Sequence, residues 1–180
     1  HGAATRRDFL RAAAGAGVTS AMASTLSQVR GQSTSANERI GVGFIGVGGR
    51  AQAHMDIVNG LKAQGRAEPV AVCDVYGPHV ARGVEAARND GVKTYTDYHD
   101  LLADERVEAV IIATPDHWHA IPTIFACHAG KDVYVEKPVS HNIQEGRRMV
   151  EAARRNKRVV QHGTQQRSTE FTAGVLEIGA

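Results

Sequence analysis

Four short stretches carry the chemistry of this sequence. The first is Gly46-Val47-Gly48-Gly49-Arg50-Ala51, directly after the apolar run 40–45. It fits G-x-G-x-x-A, a dinucleotide-binding pattern. The first glycine permits a tight turn, the second lets the backbone approach a pyrophosphate, and the small last residue lets the next helix pack against the strand. N–H groups opening that helix would face the phosphates. The second stretch is Asp74, at the end of the apolar run 69–73. A carboxylate there accepts hydrogen bonds from adenosine ribose hydroxyls and repels a 2′-phosphate, so NAD is expected as the cofactor. Capping of the following helix is the plainer role for Asp74, and the nearby Arg50 leaves NADP open as the second choice.

The third stretch, Thr114-Pro115-Asp116-His117-Trp118-His119, closes the apolar run 107–114. Pro115 stops a strand because it has no N–H to donate. Asp116, His117 and His119 suggest metal ligands, but H-x-H without a further cluster is poor support, and no metal is expected. The expectation is a loop against the nicotinamide end of the cofactor. A helix start with exposed polar side chains is the alternative. The fourth stretch is Glu136-Lys137-Pro138, after Val133-Tyr134-Val135. An ammonium ending a central strand points into a ligand crevice, where it could hydrogen-bond a substrate hydroxyl, polarise it or relay its proton. A buried ammonium there would need a partner or a lowered pKa. Glu136 faces the other way by strand alternation and should serve another contact. Pro138 fixes the exit and is a candidate for a cis peptide bond.

Such residues need a scaffold that gathers strand ends. Apolar runs at 40–45, 69–73, 107–114, 132–136 and 158–162, with a weaker one at 92–95, alternate with helical stretches. The clearest helix starts at Asn142, with Ile143, Met149, Val150 and Ala153 on one face and arginines on the other. Asn142 and Glu145 read as a capping box, and Arg154, Arg155 and Lys157 suit the helix C-terminus. This alternation implies crossover units in a parallel sheet, an α/β fold of the Rossmann type, doubly wound. Ligands bind such sheets beyond the carboxyl ends of the strands.

The chain has 180 residues, 42% hydrophobic and 22% charged, ordinary for one globular domain. No run of ~20 apolar residues indicates a spanning helix. Residues 1–23 hold Arg6-Arg7, then Phe9-Leu10, an Ala/Gly stretch and Ala21-Met22-Ala23. This resembles a twin-arginine export signal, which implies the export machinery as a partner and a periplasmic or otherwise exported location. A disordered or membrane-surface helix is the alternative. The polar residues 24–38 read as a linker. Loss of residues 1–23 removes three arginines and one aspartate, taking the net charge from +2 to zero. No nucleic-acid partner is therefore expected. Cys73 and Cys127 are expected to be free and buried.

Taken in order, "GVGGRA", Asp74, "TPDHWHA" and "EKP" resemble the Gfo/Idh/MocA oxidoreductases, the glucose–fructose oxidoreductase and inositol dehydrogenase family, over about residues 40–167. The resemblance implies that Lys137 contacts substrate and assists proton transfer. It implies a cofactor pocket of Gly46, Gly48, Gly49, Arg50 and Asp74 on one side. Thr114, Pro115, His117, His119, Glu136, Lys137 and Pro138 complete it, with Gln165, and Gln161 more weakly, after the last strand. The implied substrate is a sugar, cyclitol or related polyol. Alternatives are a glycosidase that oxidises its substrate transiently with bound NAD, and a non-catalytic sugar- or nucleotide-binding relative. Residues 39–167 would form the NAD-binding Rossmann domain. Residues 168–180 would begin a helix leading to a C-terminal α+β substrate domain absent from this chain, so the expectation is the N-terminal part of a longer protein, a homo-oligomer when complete. Free NAD is not maintained outside the cytoplasm, so an exported enzyme should hold its nucleotide tightly.

Overall fold

A computed structural model describes residues 39–165. The expected export signal (1–23), linker (24–38) and helix from 168 lie outside the described residues. The elements are β1 (Ile40–Ile45), α1 (Gly49–Ala63), β2 (Ala67–Cys73), α2 (Gly77–Ala87), β3 (Lys93–Tyr95), α3 (Tyr98–Ala103), β4 (Ala109–Ile112), a 3-10 turn (Asp116–Trp118), α4 (Ala120–His128), β5 (Asp132–Val135), α5 (Ile143–Asn156) and β6 (Val160–His162). The strands form one sheet in the order β3-β2-β1-β4-β5-β6, every pair parallel. This is the doubly wound α/β order. The chain reverses direction across the sheet between β1 and β4, which opens a crevice above their carboxyl ends.

Side-chain alternation divides the core. Val42, Phe44 and Val72 face α1 and α2, where they meet Ala51, Met55 and Val58. Ile45, Ala71, Val110, Ile112, Val133 and Val135 face the other layer, with Leu101, Ala126, Cys127, Met149 and Ala152. Both faces are covered, so the strands are apolar throughout. Complete burial of Phe44 contributes about 1.5–3 kcal/mol. Cys73 and Cys127 are free and buried. Among the described residues, no helix is long and apolar enough to cross a membrane.

Several elements differ in detail from the sequence pattern. β2 begins at Ala67, ahead of Pro69, because the β1–β2 register shifts between Val42 and Gly43 and spares the proline a ladder bond. β6 begins at Val160, since the Val159 N–H donates to the Asp132 carboxylate. On α5 the buried stripe is Met149 and Ala152, while Ile143 and Val150 are exposed. At 3.6 residues per turn Val150 and Ile143 fall about 100° and 120° around the helix from Met149, together on the outward side. The helix start is capped by Asn142 Oδ1, which accepts the Glu145 N–H at 2.9 Å. Glu145 accepts from the His141 N–H rather than from Asn142, so the box closes one residue further out.

Candidate functional site

The glycine turn is wedged between two strand ends. The Gly46 N–H donates to the Cys73 carbonyl at 2.9 Å. Gly46 has φ of +79°, and a Cβ there would lie 2.8 Å from the Thr114 backbone nitrogen. Only glycine tolerates both conditions. Gly48 caps α1 without a side-chain bond, and the first turn carries no acidic residue. Among the described residues, the opening N–H groups of α1 therefore have no side-chain acceptor. Beside Gly49 there is open space, with no atom within 4 Å of an added Cβ. Unpaired donors, bare backbone and empty volume fit a diphosphate.

A cavity of about 530 Å³ opens next to this turn, lined by Ile45, Gly46, Cys73, Asp74, Tyr98, Thr114, Pro115, His117 and Trp118 among others. Asp74 is oriented inside it. Its Oδ2 accepts the Val47 N–H at 2.9 Å and lies 3.2 Å from His79 Nδ1. Its Oδ1 accepts the Tyr76 N–H at 3.0 Å. The carboxylate thus ties the glycine turn to the start of α2 while facing the cavity. Burial, followed by the charges of Asp74, Asp97 and Asp100, pushes the neighbouring Cys73 thiol up to about 12.

The third stretch follows the β4 exit, beside the switch point. Thr114, Pro115 and His117 share the cavity with Asp74. His119 belongs to the layer beneath. The 3-10 turn swings it inward until it is 1% exposed. One ring nitrogen then meets the Thr114 carbonyl at 2.9 Å, and the other meets the Pro138 carbonyl. His119 therefore braces the β4 exit against the β5 exit and offers the cavity no ring nitrogen. Asp116 lies 3.5 Å from His117 and 3.9 Å from His141, on the surface. Among the described residues, no group of three or more His, Cys, Asp or Glu is arranged to hold a metal ion.

A second cluster lies across the switch point. Tyr134 and Glu136 share one face of the β5 exit and turn toward α1, as strand alternation requires. Glu136 is buried. Its Oε1 accepts from Arg50 Nε at 2.7 Å and lies 2.7 Å from His54 Nε2, and its Oε2 accepts the Lys137 N–H at 3.0 Å. Burial pushes its carboxyl up, but the bonds from Arg50, His54 and the Lys137 N–H outweigh that and hold it down at about 2. The buried His54 ring also meets the Tyr134 ring edge-on at 4.9 Å. The β6 exit closes the cluster: a Cβ on Gly163 would come within 2.9 Å of the Tyr134 hydroxyl and 3.3 Å of Glu136 Cα. With its amide turned to suit its neighbours, Gln165 accepts from Arg50 Nη2 at 2.9 Å. Arg50 is thus engaged by Glu136 and Gln165. Gln161 turns to the His162 carbonyl and takes no part.

Lys137 is exposed, not buried, and its bond to Pro138 is cis. Among the described residues, its amine has no hydrogen bond or ion pair. Sequence reasoning missed His54, which carried one available signal: it falls four residues after Arg50, on the same face of α1. It also missed His79 and Tyr98, which no local pattern marks.

The strand order, the glycine turn and the oriented Asp74 define a dinucleotide-binding domain of the Rossmann class. Residues 40–164 match the GFO_IDH_MocA model, described as an oxidoreductase family with an NAD-binding Rossmann fold. The chain belongs to this family. It is 34% identical over 130 residues to an inositol 2-dehydrogenase of Salmonella typhimurium (strain LT2), covering 69% of this chain and 37% of that protein. It is likewise 34% identical over 128 residues to glycosyl hydrolase family 109 protein 1 of Shewanella sp. (strain MR-4), covering 67% of this chain and 27% of that protein. Among solved structures it resembles the WlbA dehydrogenase from Bordetella pertussis in complex with NADH and UDP-GlcNAcA. There the TM-score is 0.70 at 26% identity, covering 78% of this chain and 43% of that one. The chain therefore spans about a third of the length of the curated relatives it matches.

Proposed function

We propose that this chain is the nucleotide-binding part of an oxidoreductase that moves a hydride between NAD and a hydroxyl-bearing carbon of a sugar, cyclitol or related polyol. One observation carries the reading: Lys137, whose amine has no hydrogen bond or ion pair among the described residues, stands at the carboxyl end of β5, across the switch point from Asp74. Bound NAD would supply the hydride acceptor. The first turn of α1 holds the diphosphate, and Asp74 accepts from the adenosine ribose. Lys137 hydrogen-bonds the substrate oxygen and relays its proton. In the longer protein, Lys137→Ala should lower turnover by about 10²–10⁴-fold, the usual worth of a proton-transfer group, while NADH binds as before. Full turnover by that variant would reject the assignment.

The Shewanella relative favours a second reading, glycoside cleavage through transient oxidation by the same bound nucleotide. Net NADH formation from free polyols supports the first reading, and aglycone release without net NADH supports the second. Arg6-Arg7 and the stretch after them support export by the twin-arginine route to the periplasm. Loss of export on R6K/R7K substitution, read by cell fractionation, tests that point. Export would require a nucleotide held since folding, and mass spectrometry of the purified protein checks for it. The family resemblance also implies a homo-oligomer, which light scattering checks.

A further inference from the structure

Among the described residues, no hydrogen bond or ion pair holds the amine of the lysine assigned above to proton transfer. Its main chain is held instead. Glu136 Oε2 accepts the Lys137 N–H at 3.0 Å, and His119 engages the carbonyl of the next residue, Pro138. The same Glu136 reaches α1 through its other oxygen, to Arg50 and His54, both at 2.7 Å. Arg50 is the second residue of α1, so one buried carboxylate spans from the helix that seats the diphosphate to the lysine's own peptide.

We propose that Glu136 is a positioning residue, clamped by Arg50 and His54, that fixes Lys137 against the helix carrying the nucleotide. The inference rests on the reading of Lys137 given above. Its physical basis is geometric. An ionised carboxylate has acceptor sites on both oxygens, so it can take Arg50 and His54 on one and the Lys137 N–H on the other. A glutamine at 136 has one acceptor oxygen and an NH₂ that donates. It must either turn that NH₂ on the Lys137 N–H or turn it on Arg50. Either way one tie is lost while the packing volume stays. The close approach of Gly163 leaves Glu136 little room to move aside. Removing the Arg50 guanidinium cuts the other end of the same span.

The test needs no substrate. In the 180-residue chain, Lys137 acetylation by acetic anhydride is followed by mass spectrometry, with and without NADH, normalised to the exposed Lys93 and Lys157. At an NADH concentration of ~10 Kd, about one chain in ten is free, so protection of a covered amine reaches about tenfold. With NADH set to give each variant the occupancy of wild type, Glu136→Gln and Arg50→Met should show protection of Lys137 below about threefold, because a small misplacement is enough to free the amine. The Arg50 side chain is 44% exposed, so its replacement disturbs less packing than the change at 136, and circular dichroism checks that each variant is folded. Arg50→Lys, which keeps the charge, should restore part of the protection. Undiminished protection in both variants would overturn the proposal. So would a loss of protection that merely follows a loss of NADH affinity. Absence of protection in the wild-type chain would instead reject the placement of Lys137 over the cofactor, leaving the source of failure plain.

Discussion

Gly46 and Gly49 sit three residues apart in one motif, yet the structure gives them opposite jobs, and alanine separates them. At Gly46 a methyl group must adopt φ of +79° and would lie 2.8 Å from the Thr114 nitrogen and 2.9 Å from its Cα. The left-handed conformation costs about 1–2 kcal/mol, and forcing a methyl against fixed backbone costs about 1–3 kcal/mol more. Gly46→Ala should therefore lose about 2–5 kcal/mol, and at ~2–4 °C per kcal/mol for a chain of this size its Tm should fall by about 4–20 °C. At Gly49 a methyl meets no protein atom within 4 Å, in a helical position. Gly49→Ala should keep its stability or gain about 0.4–1 kcal/mol, through the smaller entropy of the unfolded chain. Its methyl would nevertheless stand where the diphosphate approaches α1, so NADH affinity should fall at least about tenfold, or ~1.4 kcal/mol. Urea unfolding followed by circular dichroism reads the first effect, and NADH fluorescence titration reads the second. The reasoning fails if Gly46→Ala unfolds within about 0.5 kcal/mol of wild type, the scatter of ordinary surface changes. It fails equally if Gly49→Ala binds NADH unchanged.

Acid should loosen the fold through its buried carboxylates. Glu136 is held down at about 2 from an ordinary 4.5, so its contribution is complete above pH 4.5 and disappears as pH falls toward 2. That depression corresponds to about 3 kcal/mol. Asp104, gripped by Arg106 at 2.8 Å and by the Tyr95 hydroxyl at 2.9 Å, is depressed as well and adds a loss of the same sign. Urea midpoints measured from pH 6 to 2.5 should drop steeply below 4.5, and a flat profile would contradict these pairings. Cys73, buried with its thiol pushed up to about 12, should stay protonated at pH 8 and react with a disulfide reagent only after unfolding. Rapid labelling of the native chain would place it elsewhere. His119→Ala should cost about 2–4 kcal/mol, since it leaves a cavity and removes the ring that meets the Thr114 and Pro138 carbonyls. A stability equal to wild type in urea would refute the bracing role.

Legibility followed the range of the interactions involved. The glycine turn, Asp74 and the strand-end lysine could be read because their chemistry is local: a turn needs glycine, and a strand needs an apolar run before its exit. The parallel, doubly wound sheet followed from the alternation of strands and helices. What could not be read is which remote partner a strand-end side chain finds. Alternation turned Glu136 away from Lys137, but nothing in "VEKP" says that α1 delivers an arginine and a histidine to meet it 86 and 82 residues away in sequence. His54 shows the difficulty from the other side. A single histidine among apolar residues on a helix looks like core filling until its partner is known. The histidines of "DHWH" misled for a related reason. The family resemblance implied both for the cofactor pocket, but a 3-10 turn sends His117 to the surface and His119 into the core, where its ring nitrogens meet two carbonyls. Backbone geometry over three residues decided which histidine could touch a cofactor, and side-chain type could not. The consequence reaches beyond these positions. Residues that touch ligands announce themselves through local chemistry, whereas residues that aim them, here Glu136, His54 and His119, are distributed over elements that meet only when the sheet is assembled.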